Sequence, residues 1–191
     1  MNKKNYMIIF LLDKIISVLI LFYVFPLLVV SIILLYIFYG SPILIKQERV
    51  GINGKHFFLY KLRTMIKNAE KDGPKLTDKY DKRITKLGRI LRKFSIDEIP
   101  QFFNVIKDDM SIVGPRPERE FFIDKKNKLY LYRLKVKPGI TGLAQINGRS
   151  DLSIEKKLLY DKIFVDKYSI KLYFYIILKS IIIVLSTKGT R

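Results

Sequence analysis

The chain has 191 residues, 49% of them hydrophobic, with 36 lysines and arginines against 17 aspartates and glutamates, for a formal net charge of +19. It contains no cysteine and a single histidine, His56, which excludes a disulfide framework, a thiol nucleophile and a Cys or His metal cluster. Chemistry therefore falls to carboxylates, arginines and lysines, and a charge of this size calls for an anionic partner: nucleic acid, acidic lipid or a phosphorylated substrate.

Residues 15–45, IISVLILFYVFPLLVVSIILLYIFYGSPILI, carry no charged side chain, more than the roughly 20 apolar residues needed to cross a bilayer. The stretch is too long for a signal peptide and no small-residue cleavage site follows it. A membrane helix is expected, kinked at Pro26, which removes a backbone donor. Lys3, Lys4 and Lys14 precede it, and Lys46, Arg49 and Lys55 follow. Basic residues on both flanks fit a re-entrant helix that dips into one leaflet and returns. An ordinary kinked span is the alternative, because proline is tolerated in membrane helices. Residues 1–40 are thus assigned to a membrane anchor and 41–191 to a cytoplasmic, membrane-associated domain.

Beyond Gly40-Ser41-Pro42 the pattern changes. ILIKQERV and KHFFLYKL flank GING, whose Asn53-Gly54 signals a hairpin. The polar stretch 67–82, with Gly73-Pro74, reads as a surface loop. Ile84, Leu87, Leu91 and Phe94 recur at helical spacing. A second helix is expected from near Ser95, carrying Phe102, Phe103 and Ile106. MSIVG reads as a short strand ending at Gly114-Pro115-Arg116-Pro117. A helix over about Glu118–Lys135, a glycine-rich loop (KPGITGLAQINGRS) and a helical last forty residues follow. In that last part YSIKLYFYIILKSIIIVLS is broken by Lys171 and Lys179. It suits either an interfacial helix with snorkelling lysines or a core helix. The fold class is α/β (α+β), a small sheet with surrounding amphipathic helices on the N-terminal membrane helix.

In this cationic chain the adjacent carboxylates Asp97 and Glu98, in SIDEIPQ, stand out. One reading is structural. Ser95-x-x-Glu98 has the form of a capping box, with Phe94 and Ile99 as its hydrophobic staple. This gives Asp97 only a favourable interaction with the helix dipole. The other reading is chemical. A carboxylate at a helix N-terminus stays ionised; it can hold Mg2+ together with substrate phosphates, or attack phosphorus itself. Arg83, Arg89, Arg92 and Lys93 lie nearby to offset phosphate charge. Arg116, stiffened between two prolines, suits a bidentate phosphate clamp, or is simply a surface arginine in a turn.

In this order after an apolar helix, YKLRTM (60–65), SIDEIPQFFNVIKDDMSIVGPRP (95–117) and KPGITGLAQINGR (137–149) closely resemble the small monotopic phosphoglycosyl transferases among the bacterial sugar transferases. The resemblance runs from about residue 10 to residue 185. Larger members carry further membrane helices and another domain ahead of this unit, for which 191 residues leave no room.

The resemblance implies transfer of sugar-1-phosphate from a UDP-sugar to a polyprenyl (undecaprenyl) phosphate, giving a polyprenyl diphosphate sugar and UMP, with Mg2+ required. It makes Asp97 the nucleophile that forms a phosphosugar intermediate and a ligand of Mg2+, with Glu98 positioning, activating or helping with the metal. Arg116 would bind phosphate, with Lys61, Arg63 and Arg149 as helpers. It further implies the bacterial inner membrane, with the catalytic domain on the cytoplasmic face against anionic lipid, and no nucleic acid as partner; a homo-oligomer is compatible with it. Two positions depart from the family pattern. Phe25-Pro26 stands where members often carry Ser-Pro at the helix break, and Leu143 stands where an aromatic is common.

Two other classes account for part of the sequence. A membrane-anchored nucleic-acid binder explains the charge, but no stacking platform or recognition helix is evident. A non-catalytic scaffold descended from the enzyme keeps the motifs without turnover.

Overall fold

The computed structural model describes residues 3–71, 81–124, 126–148 and 151–186, the side chains at 3, 4 and 185 excepted. Helix α1 (Lys3–Tyr39) runs as one unbroken helix with Pro26 inside it. At 1.5 Å per residue it is roughly 55 Å long. The segment Asn5–Tyr39 is long and apolar enough to cross a membrane. Its helical backbone does not stop at Pro26, so the helix-break-helix form expected from the sequence is absent as a break.

The globular part packs against both halves of α1. Ile9 joins a core with Leu59, Val105, Met110, Ile112, Val136, Phe164, Tyr173 and Ile176. Leu28 and Leu35 join a second core with Leu62, Leu91 and Ile99. The opposite face of α1 leaves Leu11, Val18, Phe22, Phe25, Val30 and Ile37 exposed. Polar contacts reinforce the packing. The Lys14 ammonium donates to the carbonyls of Val105 (2.8 Å) and Ile106 (2.5 Å). The buried Asp13 carboxylate accepts from the Ile112 amide (2.9 Å) and the Tyr173 hydroxyl (2.7 Å).

Strands β1 (Leu44–Val50) and β2 (His56–Leu62) form the expected antiparallel hairpin. At its turn Asn53 and Gly54 take φ of 54° and 77°, the left-handed region that asparagine and glycine tolerate best. Helix α2 (Lys86–Lys93) begins at Thr85, whose side chain accepts from the Gly88 amide, and α3 (Gln101–Ile106) follows Pro100. Strand β3 (Ser111–Val113) pairs in parallel with β4 (Gly139–Thr141), making a second two-stranded sheet. The crossover between them carries a 3-10 turn (Glu120–Phe122) and α4 (Lys128–Arg133). The chain closes with α5 (Leu143–Ile146), α6 (Ile154–Asp166) and α7 (Ile170–Ser186).

Two expectations are corrected here. No continuous helix spans 118–135. Ile123 is extended (φ −93°, ψ 113°), and Asn127 starts α4 by accepting from the Leu129 amide, so local polar turns override the apolar period. Within the glycine-rich segment, residues 137–148 are not a plain loop but supply β4 and α5. In α7 Tyr173 and Ile176 are buried in the core, whereas Phe174, Leu178, Ile181 and Ile182 are exposed. Of the polar loop 67–82, residues 72–80 lie outside the described residues.

Candidate active site

The Asp97 turn is built by the end of α2. Ser95 takes the left-handed conformation (φ 57°, ψ 22°), its amide donates to the Arg92 carbonyl (3.0 Å), and its side chain caps nothing. The capping box is therefore corrected: Ser95 closes α2 instead of opening the next helix, which starts only at Gln101. Nor does the staple form, since Phe94 is exposed while Ile99 is buried. Residues Ile96–Glu98 make a single 3-10 turn, with the Glu98 amide on the Ser95 carbonyl (3.2 Å). Ile96 and Ile99 anchor the turn in the core shared with Leu28 and Leu35 of α1.

Asp97 is 5% exposed, and among the described residues its carboxylate makes no hydrogen bond or ion pair. Burial pushes its carboxyl up to about 6, and the adjacent Glu98 adds to the rise, while Lys61, Arg92 and Arg116 pull the other way. The sequence argument expected the helix dipole to favour the charged form. A single 3-10 turn supplies too small a dipole, and burial wins.

Among the described residues, three cations surround the pair. Lys61, near the end of β2, is brought down to about 8 chiefly by burial, with Asp97 opposing the fall. Arg92 on α2 donates through Nε to the Thr64 hydroxyl (2.8 Å), and burial lowers its pKa. Arg116 places Nη2 2.6 Å from Glu98 Oε1, which holds the guanidinium strongly in its charged form.

The loop bearing Arg116 is fixed through its carbonyls. That of Pro115 accepts from the Gly139 amide (2.9 Å), that of Pro117 from Arg49 (3.3 Å) and that of Glu118 from the Val50 amide (3.0 Å). Arg133 donates to the Arg116 carbonyl. The contact of Gly114 with Gly139 is so close that a Cβ on Gly139 would lie 2.0 Å from the Gly114 nitrogen.

Of the residues singled out by sequence, the structure brings together Asp97, Glu98, Lys61, Arg116 and Arg92. Arg63 is 6% exposed and is engaged elsewhere, its Nη2 donating to the carbonyls of Tyr39 and Gly40 (both 2.7 Å) at the end of α1. Arg83 pairs with Asp81 at 2.6 Å, and Arg89 and Lys93 are exposed. Arg149 lies outside the described residues. Sequence reasoning missed Arg49, Arg133 and Asp161, which act on the Arg116 loop from distant positions that no local spacing reveals. Among the described residues no cluster of three or more His, Cys, Asp or Glu could hold a metal. A metal here would rest on one or two carboxylates together with substrate oxygens.

The buried Asp97 carboxylate thus lies among Lys61, Arg92 and Arg116, in a protein whose N-terminal helix is long and apolar enough to cross a membrane. The model of the bacterial sugar transferase family matches residues 4–187, and the chain belongs to that family. It is 49% identical over 130 residues to an uncharacterized sugar transferase, EpsL, of Bacillus subtilis, covering 68% of this chain and 63% of EpsL. It is 37% identical over 174 residues to a UDP-N-acetylgalactosamine-undecaprenyl-phosphate N-acetylgalactosaminephosphotransferase of Aeromonas hydrophila, covering 87% of this chain and 41% of that protein. A UDP-glucose:undecaprenyl-phosphate glucose-1-phosphate transferase of Klebsiella pneumoniae is 40% identical over 166 residues, with 83% and 36% covered. The chain spans less than two thirds of the length of each of these relatives.

Proposed function

We propose that this protein transfers sugar-1-phosphate from a UDP-sugar to undecaprenyl phosphate, the first membrane step of a bacterial surface glycan. The observation that carries the reading is the buried, unbonded Asp97 carboxylate among Lys61, Arg92 and Arg116. The activities for which the Aeromonas and Klebsiella relatives are named support it.

The chain's own residues supply the steps. A carboxylate oxygen of Asp97 attacks the β-phosphorus of the donor. The bond from that phosphorus to the bridging oxygen breaks, UMP departs with the electron pair, and the sugar phosphate stays on Asp97. A phosphate oxygen of the lipid then attacks the same phosphorus, the Asp97–phosphorus bond breaks, and the free carboxylate returns with a polyprenyl diphosphate sugar. Lys61, Arg92 and Arg116 offset the charge that builds on the phosphoryl oxygens. Glu98 orients Arg116 through their ion pair. Asp97 and Glu98 with the donor diphosphate form a donor set of the kind Mg2+ accepts, and the ion would supply further neutralisation of the diphosphate.

The same reading puts the site at the cytoplasmic face of the inner membrane, with the exposed apolar face of the unbroken α1 set into the near leaflet against anionic lipid. Its support is that both halves of α1 pack on the same globular body. A helix crossing to the far side would carry one of its ends away from that body.

The test is UMP release from a panel of UDP-sugars, with and without undecaprenyl phosphate and Mg2+, beside Asp97→Asn. Lipid- and metal-dependent release from one donor, lost in the variant, is the expected result. Undiminished release by Asp97→Asn would remove Asp97 as nucleophile. Binding of duplex DNA in preference to UDP-sugar would turn the reading toward nucleic acid.

A further inference from the structure

Pro115 and Pro117 flank Arg116, and a proline offers no backbone N–H. The Pro-Arg-Pro loop therefore has few donors with which to fix itself, and its rigidity has to come from donors aimed at its carbonyls. Among the described residues there are four such donors. Two are the backbone amides of Gly139 and Val50; the other two are the guanidinium groups of Arg49 and Arg133.

Arg133 binds the carbonyl of Arg116 itself. It lies at the end of α4, 8% exposed, and its Nε sits 3.1 Å from Oδ2 of Asp161, a residue of α6 that is 2% exposed. Its Nη1 lies 4.0 Å from Glu118, also in the loop. A buried ion pair of this kind contributes little net stability over a packed apolar pair, because both charges lose their hydration. What it does supply is direction. The Asp161 carboxylate fixes the guanidinium plane, which leaves the Nη2 donor aimed at one carbonyl.

We infer that Arg133, held by Asp161, is a positioning residue that sets the angle at which the Arg116 side chain meets the substrate phosphate. This rests on the proposed phosphate-binding role of Arg116. Lysine in place of Arg133 keeps the charge but loses the fork, so it can satisfy Asp161 or the Arg116 carbonyl but not both in one plane. The inference differs from a purely structural role in one respect: the effect of Arg133 on turnover passes through Arg116.

A double-mutant cycle on the full chain in detergent reads that coupling. Arg133→Lys is expected to lower kcat/KM for UMP release ten- to a hundredfold in the otherwise native chain. In an Arg116→Ala chain the same change is expected to cost less than twofold, with an equal fall in melting temperature in both backgrounds. UDP affinity, measured by titration calorimetry on the same four proteins, gives the cycle a second time where turnover of an Arg116 variant is too slow to read. Equal losses in both backgrounds would overturn the inference.

Amide exchange provides an arm independent of any reaction. In Arg133→Lys and Asp161→Asn the amides of Gly139 and Val50, bonded to the loop, should exchange faster relative to that of Tyr60, which is bonded to Asn104 (3.0 Å) outside the loop. Unchanged exchange at both also counts against the inference. A native chain that releases no UMP, yet shows faster exchange in these variants, defeats the proposed reaction and leaves Arg133 as the group that orders the loop.

Discussion

Glu98 and Arg116 meet side by side, with Nη2 2.6 Å from Oε1 and Nη1 3.5 Å from Oε2, and Glu98 is the immediate neighbour of the buried Asp97. The pair does two things to the site. It holds the Arg116 guanidinium over the carboxylate turn, and it leaves Glu98 with its negative charge next to Asp97, which helps keep that carboxyl high. Glu98→Gln should therefore separate the two effects. The like charge disappears, so Asp97 ionises at lower pH. The ion pair becomes a weaker hydrogen bond, so Arg116 loses its fixed orientation. The expected outcome is a fall in kcat of roughly ten- to a hundredfold, the scale of a lost charged contact at a transition state, with the acid limb displaced downward. Steady-state UMP release against pH measures both.

The pH dependence of the native chain follows from the two shifted groups. Asp97 must be ionised to attack, and its carboxyl lies at about 6. Activity should rise as pH increases through that value. Lys61 must be charged to offset phosphate, and burial has brought it down to about 8. Activity should fall as pH passes that value. The profile of kcat/KM for the UDP-sugar is therefore expected to be a bell between these limits, since this parameter reports the free enzyme. Measuring the donor half-reaction keeps the titration of the lipid phosphate out of the profile. Lys61→Arg should remove the alkaline limb while leaving the acid one; an alkaline limb that persists would assign it to another group.

How much of this was legible in the sequence depends on whether the cause is local. The hairpin was, because Asn53 and Gly54 carry the left-handed conformations its turn needs. So was α2, whose Leu87 and Leu91 face the core with α1. Asp97 and Arg116, singled out through the motifs, lie together in the folded chain. The capping box misled because Ser95-x-x-Glu98 has the same spacing whether Ser95 opens one helix or closes another, and only the path of the chain decides. Lys61 and Arg63 were both expected, from the resemblance, to help bind phosphate. Yet β2 ends at Leu62, alternation stops there, and Arg63 turns back to α1. Arg133 and Asp161 could not be paired from spacing, because α4 and α6 meet only in the folded chain.

Asp97→Asn should abolish turnover and at the same time stabilise the protein. The sign follows from linkage. A carboxyl raised in the folded state binds its proton more tightly there, so its contribution to stability is present at pH below its ordinary value of 3.8 and is lost as pH rises through about 6. At neutral pH the native chain bears that loss, on the order of 3 kcal/mol at about 1.4 kcal/mol per pH unit. Asparagine carries no charge to bury. Melting temperature at pH 7 should rise by several degrees over the native chain, and the difference should vanish near pH 4. A variant less stable than the native chain at pH 7 would contradict the assignment of Asp97 as a buried, destabilising charge.

Arg63 offers the sharpest contrast between what the motif implied and where the side chain lies. A helix ends with carbonyls that have no partner within it, and α1 ends inside the protein, beside the hairpin. The Arg63 guanidinium meets that need, donating to the Tyr39 and Gly40 carbonyls at 2.7 Å each, while its own amide bonds the Ile43 carbonyl (2.7 Å). Its cation also lies at the negative end of the helix dipole. Arg63→Met keeps the apolar stem and strips both donors from two part-buried carbonyls, at up to about 1–3 kcal/mol apiece. For a chain of this size the melting temperature should fall by roughly 5–15 °C. The protein that remains folded should bind UDP and release UMP with KM changed less than twofold, because the Asp97 cluster keeps Lys61, Arg92 and Arg116. A phosphate-binding Arg63 gives the reverse pattern, a KM raised tenfold or more with the melting temperature unmoved. Thermal unfolding and donor kinetics on this one variant decide between them.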